Sequence, residues 1–288
     1  MRTTSRLKEI AARRAAVQVP GAANALFARI IEELAFEAIY VTGAGIANMH
    51  LGAPDIGLTT LTELANTVAA VADAVSLPLV VDADTGFGNA INTVHAVRVL
   101  ERSGAAGIQI EDQIFPKKCG HFAGKGVIAL DAMLGKIKAA VDARRDGDLQ
   151  IIARTDARAV EGLDRAIERA HAFVEAGADM IFIEAPLSST ELARIAEAIE
   201  APQLANVVFG GKTPDPGRAA LANMRFAIIL YANAALQAAV KGAFDVLGAL
   251  KREGSLDGVA GRLASFDERQ RIVQKADWDA LADRFEGS

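Results

Sequence analysis

The chain has 288 residues, of which 51% are hydrophobic, and a formal net charge of −5 at neutral pH. This acidic balance argues against nucleic acid as the main partner, because proteins that bind nucleic acid present basic patches. The single cysteine excludes an intrachain disulfide and fits a reducing compartment. No apolar run reaches the ~18 residues that a membrane-spanning helix needs. We therefore expect a cytoplasmic protein that binds neither nucleic acid nor a membrane.

Short apolar runs alternate with amphipathic stretches along the chain. The predicted strands are a weak first one at 17–19 and then 38–42, 77–82, 107–111, 150–154, 180–184, 203–207 and 226–231. The predicted helices between them are 23–34, 60–75, 92–103, 132–145, 162–176 and 189–199. Several strands are unbroken apolar runs, as expected when both faces of a parallel strand are buried.

About eight such units in succession predict an α/β fold, a single closed (β/α)₈ barrel of the TIM type. We expect it to form one domain over residues 1–288, with helices from about 232 onward and a loop at 254–261.

Polar or charged side chains follow six of the predicted strands. They are Thr42, Asp82 with Asp84, Glu111, Arg154, Glu184 and Asn206. In a barrel the carboxyl ends of the strands meet at one mouth, where active sites lie. Any one of these residues is explained as well by a helix cap or a solvated turn. Their recurrence at six strand ends favours a functional site.

Three of these strand-end carboxylates, together with Asp55, predict a metal site. Asp82 and Asp84 are two residues apart and would point the same way on a strand. Together with Glu111 and Asp55 they would form an all-oxygen cluster, which suits Mg²⁺ or Mn²⁺ and argues against zinc. The alternative is a set of capping carboxylates.

Other strand-end residues predict substrate contacts. The segment 42–45 could present backbone N–H groups to a carboxylate, or it is a plain glycine turn. Arg154 could clamp a substrate carboxylate, or it neutralises Glu184 or Asp156. Tyr40 is a candidate general base on position alone.

The only cysteine lies in the run Lys117-Lys118-Cys119-Gly120-His121. Positive neighbours stabilise a thiolate, so this local context favours a functional thiol over inert packing. His121 could polarise Cys119 or bind substrate, and a solvated loop histidine is an equal alternative.

Three segments, 81–88, 117–121 and 152–157, resemble the isocitrate lyase and phosphoenolpyruvate mutase superfamily, and the likeness extends over roughly 6–285. The Lys-Lys-Cys-Gly-His run resembles its carbon–carbon lyase branch, which includes methylisocitrate lyases, dimethylmalate lyases and petal death protein. The resemblance implies a Mg²⁺ cofactor and a mobile loop at 117–125 that closes over substrate. It also implies a last barrel helix swapped between subunits, in a homotetramer built as a dimer of helix-swapped dimers.

The resemblance also implies roles for individual residues. Asp82 and Asp84 match metal-site aspartates, with Asp55 and Glu111 as their outer partners, and Cys119 matches the catalytic acid. The residues that it places at the substrate are Thr42, Gly43, Ala44, Arg154, Glu184 and Asn206. We also expect Asp82, Lys117, Gly120 and His121 to contact the substrate, and we count Arg154, Glu111 and Tyr40 as catalytic together with Cys119.

The implied activity is a Mg²⁺-dependent cleavage of the C2–C3 bond of a 2-hydroxy dicarboxylate, giving an α-keto acid such as pyruvate and a carboxylate. Gln237 and Phe266 stand where methylisocitrate lyases carry arginines, and Phe209 stands where relatives often carry glutamate. These departures favour a 2-alkylmalate or dimethylmalate over a tricarboxylate. The alternatives are a 2-methylisocitrate lyase, an oxaloacetate hydrolase, a carboxyvinyl-carboxyphosphonate phosphorylmutase-like enzyme and a non-catalytic barrel.

Overall fold

Eight parallel strands close into a barrel in the computed structural model of this protein, which describes residues 1–120, 122 and 124–286. The strands are β1 (Val17–Ala22), β2 (Ile39–Val41), β3 (Leu79–Asp82), β4 (Gly107–Glu111), β5 (Gln150–Thr155), β6 (Met180–Ile183), β7 (Gln203–Asn206) and β8 (Ile228–Tyr231). Each pairs with the next, and Val17 opposite Ile228 joins β1 to β8. The predicted (β/α)₈ barrel is confirmed.

Helices follow the strands around the barrel. They are α1 (Thr3–Arg13), α2 (Ala25–Glu33), α3 (Gly43–Ile46), α4 (Leu61–Ala74), α5 (Ala90–Arg102), α6 (Leu130–Ala143), α7 (Ala157–Val160), α8 (Leu163–Glu175), α9 (Ser189–Ala198), α10 (Arg218–Asn223), α11 (Ala234–Glu253), α12 (Phe266–Ile272) and α13 (Lys275–Glu286). Ala47–Leu51 forms a π-helical turn after α3. The predicted loop at 254–261 is wrong in part, because Asp257–Arg262 forms a 3₁₀ helix.

Side-chain caps set where several helices begin. Asn24, Thr60, Asn89 and Ser188 each accept a hydrogen bond from a backbone N–H in the first turn of the helix that follows. At α4 the cap is reciprocal, because Glu63 also accepts from the backbone N–H of Thr60. These caps orient the helices so that their apolar faces cover the barrel.

Two apolar cores flank the sheet. The outer core fills the space between the strands and the surrounding helices. The inner core fills the barrel and is closed at the amino end by Leu7 and Ile10 of α1, which are 0% and 4% exposed. Gly107 opens β4 where a side chain would meet Leu7, since its Cβ would lie 2.7 Å from the Leu7 Cδ2. The filled interior leaves the carboxyl mouth as the place for chemistry.

The C-terminal arm, residues 234–286, carries apolar side chains on its surface. Phe244 is 76% exposed, Leu247 61%, Trp278 64% and Phe285 75%. Trp278 and Phe285 belong to α13, which has no buried residue within this chain. Among the helices in the described part of the chain, none is long and apolar enough to cross a bilayer.

Candidate active site

Asp82 and Asp84 face a common point at the mouth of the barrel. Asp82 is the last residue of β3, and Asp84 follows in a left-handed turn with φ 46°. A Cβ on Gly43, at the start of α3, would lie 3.1 Å from an oxygen of Asp82 and 3.3 Å from an oxygen of Asp84. The two carboxylates therefore converge because the chain turns back, and not because both lie on one strand as the sequence suggested.

Lys117 lies at the centre of these carboxylates. Its ammonium is 2.6 Å from an oxygen of Asp55 and 2.6 Å from an oxygen of Asp84, and its side chain is 3% exposed. Burial lowers the pKa of Lys117, but the surrounding carboxylates, led by Asp84 and Glu111, outweigh burial and hold that pKa well above its usual value. For Asp84 the effect of burial is the opposite: burial raises its pKa to about 7, although the positive charge of Lys117 acts to lower it.

The donor chemistry of this centre fits a hard divalent cation. Within the described ranges, no three histidine, cysteine or acidic side chains converge in a metal-ligand arrangement. However, an ammonium group already lies between Asp55 and Asp84, and both Glu111 oxygens are buried and accept no hydrogen bond from described residues. Oxygen-only donors around a cation are what Mg²⁺ prefers. The predicted ligand set of Asp82, Asp84, Asp55 and Glu111 is thus chemically suitable.

Arg154, on β5, joins three buried carboxylates. Its guanidinium nitrogens are 3.2 Å from Glu111, 3.0 Å from Asp156 and 3.2 Å from Glu184, and the group lies 5.1 Å from the ring centre of Phe182. Burial lowers the pKa of Arg154, but these carboxylates outweigh burial and hold the pKa above its usual value. Burial raises the pKa of Glu111 well above its usual value despite Arg154. Arg154 thus makes the neutralising contacts with Asp156 and Glu184, and its role as a substrate clamp stays a prediction.

A buried network behind Arg154 holds the end of β5. Asp112 accepts hydrogen bonds from the hydroxyl of Thr155 at 2.7 Å, the backbone N–H of Asp156 at 2.9 Å and Nε of Arg169 at 2.9 Å. Sequence reasoning did not identify Asp112 or Arg169. Arg169 could have been noticed in the sequence, because it is a charged residue among the apolar positions that form the buried face of α8.

The Cys119 loop is the segment 117–125, and its described residues contact this centre. The backbone N–H of Cys119 donates to the carbonyl of Asp55 at 3.0 Å. Gly120 is buried against the Arg154–Glu184 pair, where a Cβ would lie 2.6 Å from Nη2 of Arg154. The structure therefore brings the predicted residues Lys117, Cys119 and Gly120 to the mouth. His121, the other predicted residue of this loop, lies outside the described residues.

Tyr40 lies below the mouth, inside the barrel. It is 3% exposed, and its hydroxyl donates to Oε1 of Gln109 at 3.1 Å. Burial, followed by the charge of Asp82, raises the pKa of Tyr40 well above its usual value. The hydroxyl of Tyr40 is thus engaged as a hydrogen-bond donor inside the barrel, and the role of Tyr40 as general base stays a prediction.

The remaining predicted substrate residues line the same mouth. Thr42 caps the short helix α3, and its hydroxyl approaches Oδ1 of Asn233 at 3.5 Å. Gly43 and Ala44 follow in that helix. On the opposite side, the amide of Asn206 approaches Oε2 of Glu184 at 3.5 Å. Two sides of one opening therefore hold the predicted carboxylate-binding segment and the predicted substrate contacts.

A cavity of about 490 Å³ adjoins the carboxyl ends of β7 and β8. Its lining residues are Val207, Val208, Phe209, Gly210, Gly211, Thr213, Asp215, Tyr231, Ala234 and Gln237. The side chain of Gln237 donates to the carbonyl of Phe209 at 3.0 Å. The described lining thus contains a carboxylate, Asp215, and no cationic side chain.

Phe266, the other departure noted in the sequence, is far from this cavity. It begins α12, where Arg271 pairs with Glu33 at 2.8 Å. Glu33 ends α2, and a helix that follows a barrel strand ends at the amino side of the barrel. Of the three departures from related sequences, Gln237 and Phe209 therefore lie beside the mouth within one chain, and Phe266 does not.

Comparisons with known proteins cover nearly the whole chain. A sequence profile of the family described as phosphoenolpyruvate phosphomutase matches residues 7–250. The chain is 44% identical over 268 residues to the 2,3-dimethylmalate lyase of Eubacterium barkeri, covering 93% of each protein. It is 43% identical over 273 residues to the 2-methylisocitrate lyase of Aeropyrum pernix, covering 95% of this chain and 88% of the relative.

Solved structures show the same architecture. An oxaloacetate acetylhydrolase in complex with 3,3-difluorooxalacetate superposes with a TM-score of 0.94 at 31% identity, covering 99% of this chain and 98% of the other. A phosphonopyruvate hydrolase in complex with oxalate and Mg²⁺ superposes with a TM-score of 0.90 at 29% identity, covering 99% of each chain.

Proposed function

Because the chain belongs to the phosphoenolpyruvate mutase and isocitrate lyase superfamily and is one of its carbon–carbon lyases, we propose that it cleaves the C2–C3 bond of a 2-alkylmalate or 2,3-dimethylmalate. The products are an α-keto acid such as pyruvate and a monocarboxylate. The observation that carries this proposal is the cluster of Asp82, Asp84, Lys117 and Arg154 at the mouth, beneath the loop that bears the only cysteine. A relative that acts on dimethylmalate by its name supports this substrate class.

The cofactor that we propose is Mg²⁺, with Mn²⁺ as a substitute. Asp82 and Asp84 would hold the ion, and Asp55 and Glu111 would support it from outside. When bound, such an ion lowers the pKa of a hydroxyl group and stabilises the negative charge on its oxygen. The Mg²⁺ in the related phosphonopyruvate hydrolase supports this assignment.

The residues of this chain would then orient and protonate the substrate. The N–H groups of Gly43 and Ala44 would bind the carboxylate beside C2, and Arg154 would bind the distal carboxylate. Loss of the hydroxyl proton to a base allows the C2–C3 electron pair to move to C3. Cys119, on the loop above the centre, would deliver a proton to C3 and so complete the carboxylate product.

Substrate choice follows from the cavity beside β7 and β8. A third carboxylate placed there would meet Asp215 and the neutral Gln237 in place of arginines. An alkyl substituent would meet Val208 and Phe209 instead. Burial of apolar surface favours the alkyl group, and like charge disfavours the carboxylate.

We expect kcat/KM for 2,3-dimethylmalate to exceed that for 2-methylisocitrate by about 10- to 100-fold, because a lost hydrogen bond to a charged group costs about 1.5–3 kcal/mol. Pyruvate release, coupled to its reduction, measures both rates with and without EDTA. Gln237→Arg should narrow the difference, whereas the matched change Gln270→Arg on α12 should not. A wild-type preference for the tricarboxylate would show that the substrate is a methylisocitrate, and oxaloacetate cleavage in the same panel would point to a hydrolase.

We also propose that the protein is a homotetramer, a dimer of dimers that exchange their last barrel helix. The apolar residues of the C-terminal arm support this, since Phe244 and Trp278 are exposed in the single chain. Light scattering after gel filtration should give about four times the chain mass of 30.2 kDa. Phe244→Asp should lower that mass, while Lys251→Asp on the same helix should leave it unchanged. A monomeric wild-type protein would contradict the proposal.

A further inference from the structure

The two ends of the Cys119 loop are attached to different parts of the barrel. At its start, Lys117 pairs with Asp55 and Asp84, and the backbone of Cys119 donates to the Asp55 carbonyl. At its end, the ammonium of Lys125 lies 2.5 Å from Oδ1 of Asp156, just beyond β5. The described ends of the loop are thus held on two sides of the mouth, one near β2 and the other near β5.

The attachment at Lys125 is buried. The Lys125 side chain is 2% exposed and that of Asp156 is 0% exposed. The same ammonium also donates to the carbonyl of Gly120, which connects the end of the loop to its middle. Without the Lys125 ammonium, the buried Asp156 would lose one of its two cationic partners, so this contact favours the arrangement in which the end of the loop lies against β5.

Asp156 is shared between the loop and the substrate arginine. Its Oδ1 faces Lys125, and its Oδ2 accepts from Nε of Arg154 at 3.0 Å. Gly120 in turn packs against Nη2 of Arg154, where no side chain would fit. One carboxylate therefore contacts both the end of the loop and Arg154.

We propose that Lys125 is a positioning residue: its ammonium latches the Cys119 loop to Asp156 and thereby couples loop closure to the orientation of Arg154. This inference rests on the proposed function, in that it assigns Arg154 to a substrate carboxylate and Cys119 to the proton. Substrate need not be present for the latch to form. Lys125 itself acts through Asp156 and touches neither the substrate nor the reacting atoms.

Lys118 provides a matched control within the same loop. Its ammonium donates to the carbonyl of Gly124, so its contact stays inside the loop. Lys118→Met and Lys125→Met remove the same group from positions seven residues apart. Lys125→Met should release the loop from the barrel and Lys118→Met should not. A general effect of losing a positive charge would appear in both variants.

The first measurement is the rate at which iodoacetamide alkylates Cys119 in the full-length protein without substrate. With a single cysteine in the chain, the modified mass reports this thiol alone. We expect Lys125→Met to react at least tenfold faster than wild type and Lys125→Arg to restore most of the protection. Lys118→Met should react no faster than wild type, because it removes a positive neighbour of the thiol without releasing the loop. Equal rates in wild type and Lys125→Met, or equal acceleration in both methionine variants, would overturn the latch.

The second measurement is kcat and KM with dimethylmalate. A displacement of a catalytic group by about 1 Å costs roughly 10²-fold, so kcat of Lys125→Met should fall by about that factor, and kcat of Lys118→Met should fall far less. An unchanged kcat would overturn the coupling to Arg154. A wild-type protein that cleaves no malate would refute the proposed function alone, since the alkylation contrast still tests the latch. If Lys125→Met does not fold, Lys125→Gln replaces it under the same criteria.

Discussion

Asp82→Asn is expected to abolish divalent-metal binding and to lower kcat/KM by about 10³-fold or more. The amide oxygen of asparagine can still accept the hydrogen bonds from Gln109 and from the Asp84 backbone N–H, so the fold of the mouth is kept. What is lost is one charged oxygen ligand, and a bound cation supplies several kcal/mol of transition-state stabilisation. Comparing Asp82→Asn with the wild-type protein therefore measures the effect of the lost charge at nearly unchanged packing.

Metal binding is measured without turnover by the melting temperature. A ligand at about 100 times its Kd adds about 2.7 kcal/mol of stability, which raises Tm by roughly 5 °C in a protein of this size. Wild type should show this increase with Mg²⁺, and Asp82→Asn should not. Asp73→Asn on α4, outside the barrel mouth, should behave as wild type. An Asp82→Asn protein that folds and still gains stability from Mg²⁺ would remove Asp82 from the proposed site.

Strand order and the positions of the strand ends could be predicted from the sequence because parallel barrel strands are apolar runs that end where polar residues begin. Val81-Asp82 and Ile110-Glu111 are such boundaries, and the structure ends β3 at Asp82 and β4 at Glu111. Since every strand of a closed parallel barrel delivers its end to the same face, convergence of these residues follows from topology. The direction in which the Asp84 side chain points could not be predicted, because it depends on a left-handed turn beyond the end of β3.

Properties that depend on distant neighbours could not be predicted in this way. The role of Lys125 depends on Asp156, which is 31 residues away along the chain. The protonation of Tyr40 depends on its burial inside the barrel and on the nearby charge of Asp82. Arg169 pairs with Asp112 across two helices and a strand. In each case tertiary packing determines the partner, so the partner cannot be predicted from the local sequence.

The mouth combines a surplus of carboxylates with fixed cations. Lys117, Lys125 and Arg154 contact Asp55, Asp84, Asp156, Glu111 and Glu184. Each cation touches at least one carboxylate from a different strand end or loop, so the cations join the separate strand ends into one site. Because the cations are already engaged, a dianionic substrate entering this mouth would need additional positive charge, and a bound divalent ion is the simplest source.

Cys119→Ser is expected to lower kcat by about 10²–10⁴-fold while the response of Tm to Mg²⁺ stays near that of wild type. The proposed role of Cys119 is to give a proton to C3, and general acid catalysis contributes about this factor. A hydroxyl group is a much weaker acid than a thiol, so serine fills the position without supplying the proton. Single-turnover measurement of the monocarboxylate product reports this step directly.

Alkylation gives an independent test of the same assignment. Iodoacetamide should inactivate the wild-type enzyme, and pyruvate with Mg²⁺ should protect it by holding the Cys119 loop over the centre. The competing view is that Cys119 only packs between the loop and Asp55. In that case Cys119→Ser would lower Tm and leave kcat near wild type, because a half-buried thiol contributes packing that a hydroxyl group does not. Measuring kcat and Tm on one preparation of the variant separates the two roles, since the proton-donor role predicts a large loss of kcat at an almost unchanged Tm.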